Sequence, residues 1–334
     1  MFIRHTEPDD LRKIIEIYEN ARAFMRKTGN LTQWGEGDNP IKHAADDIRD
    51  GLSYVCCEGS EILAVFVFLA DAEDPTYKVI SDGAWKECKS YGVIHRIAVA
   101  AQGKDVAGFC FDWCAARCDQ LRIDTHANNR PMQRALAKNG FTRCGIIQTF
   151  DGTDRTAFSR DASYTIAQNE PRRKKLFAVS MVLWAIAAAL AAALAADIFR
   201  ALDVSRLWLI PLFALLMLPG YLTINARLHK GGGITIGPAG LENNLADRAL
   251  HGTYPWKDLA GAEFGKKDRT VELLPRDPDE FFARLPRKAR KFLRQRRVRS
   301  DALPLSCLLL EEYDKKRLLR GILSHLDAEK ELNS

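Results

Sequence analysis

The sequence predicts an α+β protein in two soluble parts with an apolar two-helix insert between them. Three observations carry this. Residues 92–108 (GVIHRIAVAAQGKDVAG) read as a strand that runs through a small-residue turn straight into a helix. Two apolar runs, 176–196 and 207–224, interrupt the chain near its middle. Beyond them, short strands bounded by Gly, Pro or charged turns lead to an amphipathic C-terminal helix. The 334 residues suffice for more than one domain, and the formal net charge is +6.

The first half follows in order. Phe2, Ile3 and Arg4 start a short strand. Residues 7–23 form an amphipathic helix with Pro8 and two Asp near its start, and Leu11, Ile14, Ile15 and Tyr18 on its apolar face. A Gly/Asn/Pro-rich loop carrying Trp34 comes next. Residues 52–58 and 62–69 read as strands joined at Gly59-Ser60. The apolar strand 93–100 turns at Gly103-Lys104 into a helix whose one face holds Val106, Phe109, Cys110, Trp113 and Cys114. Residues 121–126 alternate as a strand. A helix spans 129–139, with Asn129 as cap and Pro131 in its first turn; Gly140 closes it and Phe141 opens another strand.

A strand that feeds a helix through such a turn makes an anion site. The free N–H groups of the first helical turn point outward, and the helix dipole adds positive potential, so a phosphate-bearing cofactor is expected there. The order strand, turn, helix, strand, helix, Gly-Phe, strand resembles the GNAT family of N-acetyltransferases over residues 1–162. In that family the turn carries Arg/Gln-x-x-Gly-x-Gly/Ala and cradles the pyrophosphate of acetyl-CoA. The matching residues are Gln102, Gly103, Lys104, Asp105, Val106 and Ala107, with Asp105 where the family has its middle Gly. A carboxylate there repels a pyrophosphate, whereas Asp at a helix start serves ordinarily as a cap. The resemblance implies a mixed, twisted sheet whose middle parallel strands splay around the pantetheine arm. It further implies contacts from the main chain of Ile97 and Val99 and from Asn129.

The implied reaction is direct attack of an amine on a thioester, which requires a base for the amine and donors for the oxyanion. His95 is the candidate base, because imidazole is half-deprotonated near neutral pH; a structural His at the sheet surface is the alternative. Glu58, at a strand end, is a second candidate. A Tyr that protonates the departing thiolate is missing from its family place, where Met132 and Gln133 stand, so Tyr91 or Tyr54 would substitute unless packing claims them. Trp34 either lines the acceptor pocket or covers the core. Cys110, Cys114 and Cys118 share a helix face, and without a His they read as small buried hydrophobes rather than a metal site.

Residues 176–196 carry no charge on any face and are long enough to cross a bilayer; the run 207–224, with Pro211, Pro219 and Gly220, makes a hairpin partner. Residues 163–175 read as a basic linker, with Arg172, Arg173, Lys174 and Lys175 directly before the first span and Arg227 and Lys230 after the second. The loop 197–206 balances two Arg with two Asp. Both soluble parts are therefore expected in the cytoplasm of a multi-pass inner (plasma) membrane protein, where eight cysteines need no disulfide framework.

Residues 225–334 are expected as a further domain. Strands at 234–242, 249–256, 260–264, 270–274 and 305–310, a basic helix at 279–297 and a helix at 315–332 resemble bacterial membrane-associated PH-like domains, with GTYPWKDLAGAEF and DPDEFFARLP in the places of that group's short motifs. From Arg284 to Arg299 the chain holds nine Lys or Arg, which fit either a solvated face or anionic membrane lipid; nucleic acid is not expected, since few aromatics interleave them. The sequence thus reads as a membrane-anchored N-acetyltransferase moving acetyl from acetyl-CoA to an amine acceptor. The alternatives are a catalytically degenerate module that senses acyl-CoA or scaffolds at the membrane, and a protein led by its lipid- or partner-binding second half.

Overall fold

The computed structural model describes residues 1–31, 33–35, 39–71, 74–100, 104–201, 232–245, 248–265, 269–295, 299–307 and 310–332. The second apolar run, 207–224, and the turn residues Gln102 and Gly103 lie outside them. The chain divides into two compact units, residues 1–164 with 323–334, and residues 165–322.

In the first unit a seven-stranded sheet runs in the order β1-β2-β3-β4-β5-β7-β6. Its strands are β1 (Phe2–His5), β2 (Ser53–Glu58), β3 (Glu61–Leu69), β4 (Tyr91–Val99), β5 (Gln120–Thr125), β6 (Thr142–Gln148) and β7 (Asp154–Asp161). Neighbours are antiparallel except β4 and β5. The sequence pattern shows β6 but not β7, which inserts between β5 and β6 as the second arm of a hairpin.

Helix α1 (Leu11–Lys27) follows a 3-10 turn at Pro8–Asp10, where Glu7 N–H donates to Asp10 at 2.8 Å. It buries Ile14, Ile17, Tyr18 and Met25, so Ile17 rather than Ile15 completes the apolar face. Helix α2 (Pro40–Arg49) has no counterpart in the sequence reading; Asn39 caps it by accepting from Ile41 N–H at 3.1 Å, with Pro40 in the first turn. These helices cover one sheet face over a core that includes Trp34, Val55, Val65 and Ala98. Helix α3 (Val106–Ala115) packs on a second core with Phe66, Ile94, Leu121 and Ile123; α4 (Arg130–Lys138) adds Leu136 to it. Buried Asp112 of α3 pairs with buried Arg160 of β7 at 2.9 Å, and Arg160 also donates to the carbonyls of Asn139 and Phe111. Cys110 and Cys114 are fully buried, as small hydrophobes would be.

In the second unit, residues 163–175 are not a plain linker: they hold β8 (Tyr164–Ala167) and the start of α5 (Glu170–Ala201). Within α5, 19 residues (Arg173–Ala191) are long and apolar enough to cross a membrane, and only 6% of the most apolar stretch is buried. Strand β8 pairs beside β9 (Gly233–Gly237) in a sheet ordered β11-β10-β9-β8, with β10 (Gly240–Asn243) and β11 (Gly252–Tyr254). The expected strand 234–242 is thus two. Pro238 has no N–H for a ladder, and at Gly240 (φ 151°) a Cβ would stand 2.5 Å from the Tyr254 carbonyl oxygen. A three-stranded sheet comprises β12 (Leu259–Phe264), β13 (Thr270–Pro275) and β14 (Leu303–Ser306). The basic helix expected at 279–297 is broken in two, α6 (Pro278–Arg284) and α7 (Arg287–Gln295), because Leu285 precedes Pro286 and is forced extended (ψ 147°). Helix α8 (Glu312–Leu332) ends the described chain.

Candidate active site

The site opens where β4 and β5 part. Their pairing runs from Tyr91↔Gln120 to Ile94↔Ile123 and stops there, although β4 continues to Val99. Among the described residues no strand covers the β5 side of Ile97 and Val99, so main-chain polar groups face the gap.

A bulge in β4 shapes this fork. His95 stands opposite Val67 and Ala98 opposite Val65, so two residues, Arg96 and Ile97, answer the one residue Phe66. Because Val65 and Val67 share a face, His95 and Ala98 share it too, three positions apart, and strand alternation has been reset between them. Arg96 takes the left-handed conformation (φ 50°) that absorbs the extra residue. Its guanidinium grips Asp47 of α2 through two bonds, Nε–Oδ2 2.9 Å and Nη2–Oδ1 2.6 Å.

A cleft of about 490 Å³ lies at the fork, lined among others by Trp34, Asp74, His95, Ile97, Asn129 and Met132. His95 Nε2 meets Asp74 Oδ2 at 2.7 Å, and the ring stands edge-on to buried Tyr77. Asp74 is 8% exposed. Burial works to raise its carboxyl, but hydrogen bonds from His95 and from the Thr76 hydroxyl and N–H hold it at about 2. Tyr77 donates to Asp124 of β5 at 2.7 Å, and burial raises the phenol well above its ordinary range. An ionised Asp74 only accepts. Nε2 of His95 therefore donates to it.

The other sequence-predicted residues divide. Trp34 (φ 59°) lines the cleft and at the same time packs edge-on against Tyr18 in the core. Asn129 lines the cleft, but its side chain is committed: Oδ1 caps α4 by accepting from Met132 N–H, and Nδ2 donates to Gln33 Oε1 at 3.0 Å. Glu58 does not line the cleft; it pairs with Lys104 at 2.5 Å, and that contact lowers its carboxyl. Tyr91 is also outside the lining. Its ring lies under the Arg122 guanidinium at 3.8 Å and packs near Tyr77 and Val93. Tyr54 is packed among Phe66, Trp113 and His5.

At the head of α3, Val106 is buried and Ala107 half-buried against the core, and the first intrahelical bond, Phe109 N–H to Asp105 C=O, leaves the N–H groups before it directed out of the helix. Asp105 sits in the left-handed region (φ 55°), a conformation that favours glycine. Its side chain makes no cap, contrary to the expectation for Asp at a helix start, because the left-handed backbone turns it away; it meets Lys138 at 3.3 Å.

Sequence reasoning missed three contributors. Asp74 lies 21 residues from His95, in an Asp-Pro-Thr turn whose local signature gives the turn but not its partner. Gln33 gathers Asn30, Asn129 and Thr125 around one amide oxygen. The Arg96–Asp47 pair depends on α2, which the sequence reading lacked.

A twisted sheet forked between its two parallel strands, with a histidine–carboxylate pair at the fork, defines a cleft with room for an extended ligand beside an imidazole. No family model and no curated protein matches the chain. Solved structures do. An acetyltransferase of the GNAT family from Streptococcus agalactiae is 30% identical, with 48% of this chain and 94% of that one covered and a TM-score of 0.43. An N-acetyltransferase from Staphylococcus aureus is 19% identical over 48% and 98% (TM-score 0.34). A protein from Salmonella typhimurium assigned as an acetyltransferase and solved with its cofactor acetyl-CoA is 17% identical over 48% and 93% (TM-score 0.31). Over about half of its length the chain is thus similar in sequence to a GNAT-family acetyltransferase.

Proposed function

We propose that the chain is a membrane-anchored N-acetyltransferase that transfers acetyl from acetyl-CoA to an amine acceptor. The observation that carries the reading is the His95–Asp74 pair at the edge of the β4–β5 fork. The residues fit the donor at its arm: the uncovered main chain at Ile97 and Val99 supplies amide donors and acceptors for an amide-containing ligand. At its phosphate end the first turn of α3, with Val106 and Ala107, supplies outward N–H groups.

Acetyl-CoA, when bound, supplies the activated acetyl carbon. As the amine nitrogen bonds the acetyl carbon and the C–S bond breaks, His95 receives the amine's proton at Nδ1 and the departing thiolate takes a proton from solvent, while Asp74 at Nε2 holds the ring's orientation and offsets the positive charge that forms. Trp34 and Met132 wall the cleft. A second reading, a module that binds acyl-CoA without turnover, is favoured by Asp105, whose carboxylate lies at the phosphate end. Thiol release from acetyl-CoA with a panel of amines separates them: turnover that is lost in His95→Ala supports the enzyme, whereas binding without thiol release from any amine supports the module.

The anchoring reading rests on α5 and on where the chain returns. Gln168 N–H donates to the Gly232 carbonyl at 3.1 Å, so the chain re-enters the sheet where it left it. An excursion that starts across a bilayer and ends beside its own start crosses an even number of times, as a hairpin with both soluble parts in the cytoplasm requires. The two sheets and α8 are the elements compatible with a PH-like second unit. Carbonate washing tests the anchor: the full chain stays with inner membranes if it spans them, and its release into the supernatant rejects the span.

A further inference from the structure

We propose that the outer face of α7 docks on anionic lipid headgroups of the bilayer that α5 crosses. This rests on the spanning reading of α5. Helix α7 buries Ala289 and Leu293 and exposes Arg287, Lys288, Arg290, Lys291 and Arg294. At 100° per residue the five cations fall within an arc of about 160° opposite the buried pair.

These five differ from the cations that flank them. Arg284 is paired with Asp258 and Glu280, and Arg299 with Glu263, Glu272 and Asp301. None of the five on α7 has an acidic partner among the described residues. The nine basic residues seen in the sequence thus reduce, within the described chain, to one unneutralised face. Five like charges within a nine-residue helix repel one another, and a dense negative surface relieves that repulsion.

The occupant follows from the tether. Only Gln168 and Asn169 separate β8 from α5, a reach of at most about 7 Å. Residues 170–175 add about 9 Å of helix before the uncharged run begins. The sheet of this unit is thereby held near headgroup depth, where attraction to anionic lipid acts within a Debye length of about 8 Å. Because the apolar side of α7 is used inside its own unit, the contact is electrostatic and does not involve insertion.

Hydrogen exchange of the full chain in lipid nanodiscs tests this. In discs containing phosphatidylglycerol, amides of 287–295 should exchange about tenfold more slowly than in pure phosphatidylcholine. The protection should vanish at high salt and in the surface variant Lys288→Gln/Lys291→Gln/Arg294→Gln. Equal exchange in both lipids overturns the proposal, and so does protection by RNA but not by anionic lipid. Inorganic phosphate in phosphatidylcholine discs should give none; protection there would show a single-phosphate site instead. If the chain is released by carbonate, the spanning reading fails; if it is retained yet α7 exchanges alike in both lipids, this inference alone fails.

Discussion

Arg96 holds a left-handed backbone in the middle of a β-strand and closes a two-point ion pair on Asp47, which is 7% exposed. The pair ties the bulge in β4 to α2. The bulge in turn sets which side chains face the cleft, since it resets the alternation between His95 and Ala98. Asp47→Ala should lower stability by about 2 kcal/mol, less than for a fully buried pair because Arg96 reaches solvent. Arg96→Gly removes the grip but relieves the left-handed strain, so its thermal shift should be smaller than that of Asp47→Ala; an equal or larger shift would show that the strain there is negligible.

His95→Ala should reduce kcat by about 100-fold or more, with little change in the affinity for acetyl-CoA. Asp74→Asn should lower kcat with KM for the donor unchanged, and Asp74→Glu should restore part of it. Steady-state kinetics with a responsive amine reads all three. Equal losses in kcat and donor affinity for Asp74→Asn would mean the residue merely supports the fold.

The Asp74 carboxyl is depressed from 3.8 to about 2 in the folded chain. A depressed carboxyl stabilises the fold above its unfolded value, and that contribution is lost as pH falls through the folded one. The melting-temperature gap between the wild type and Asp74→Asn should therefore be constant above pH 4 and close between about 4 and 2. A gap that persists unchanged at the acid end would contradict the ionised Asp74 to which His95 Nε2 donates.

Asp105 holds a conformation that costs about 1 kcal/mol for a residue with a Cβ, and in the proposed donor pose its charge would lie at the phosphate end. Asp105→Gly should tighten acetyl-CoA binding about tenfold in calorimetry and raise stability slightly. Asp105→Ala removes the charge but keeps the strain, so it should tighten binding without that stability gain.

The Asp112–Arg160 pair is buried on both sides and clamps α3 to β7. Asp112→Ala leaves a buried guanidinium without its counter-charge and should cost about 3 to 5 kcal/mol, enough to lower the thermal transition markedly. Replacing both residues with apolar ones should cost less than this single change.

Much of the first unit was legible because its strands and helices carry local signals. The apolar runs of β3 and β4, the Asn-Arg-Pro start of α4 and the closing Gly140 each specify an element from its own residues. Helix α2 was missed because its apolar positions are few, Ala44 and the partly buried Ile41 and Ile48, and the basic helix was merged across Pro286 because its charge pattern runs on unbroken. Glu58 and Tyr91 looked available because a sequence shows a side chain without its neighbours; Lys104 and Arg122 occupy them.

The sequence by itself determined the order of elements, the turn chemistry before α3, the membrane-length run in α5 and the presence of a histidine on β4, because each of these depends on neighbours within a few residues. Tertiary structure alone decided that Asp74 would meet His95, that Arg96 would reset the face of β4, and that five of the basic residues would stand unneutralised on α7. Those depend on pairings across tens of residues, where charge, burial and strand register are set by the folded chain and not by local spacing.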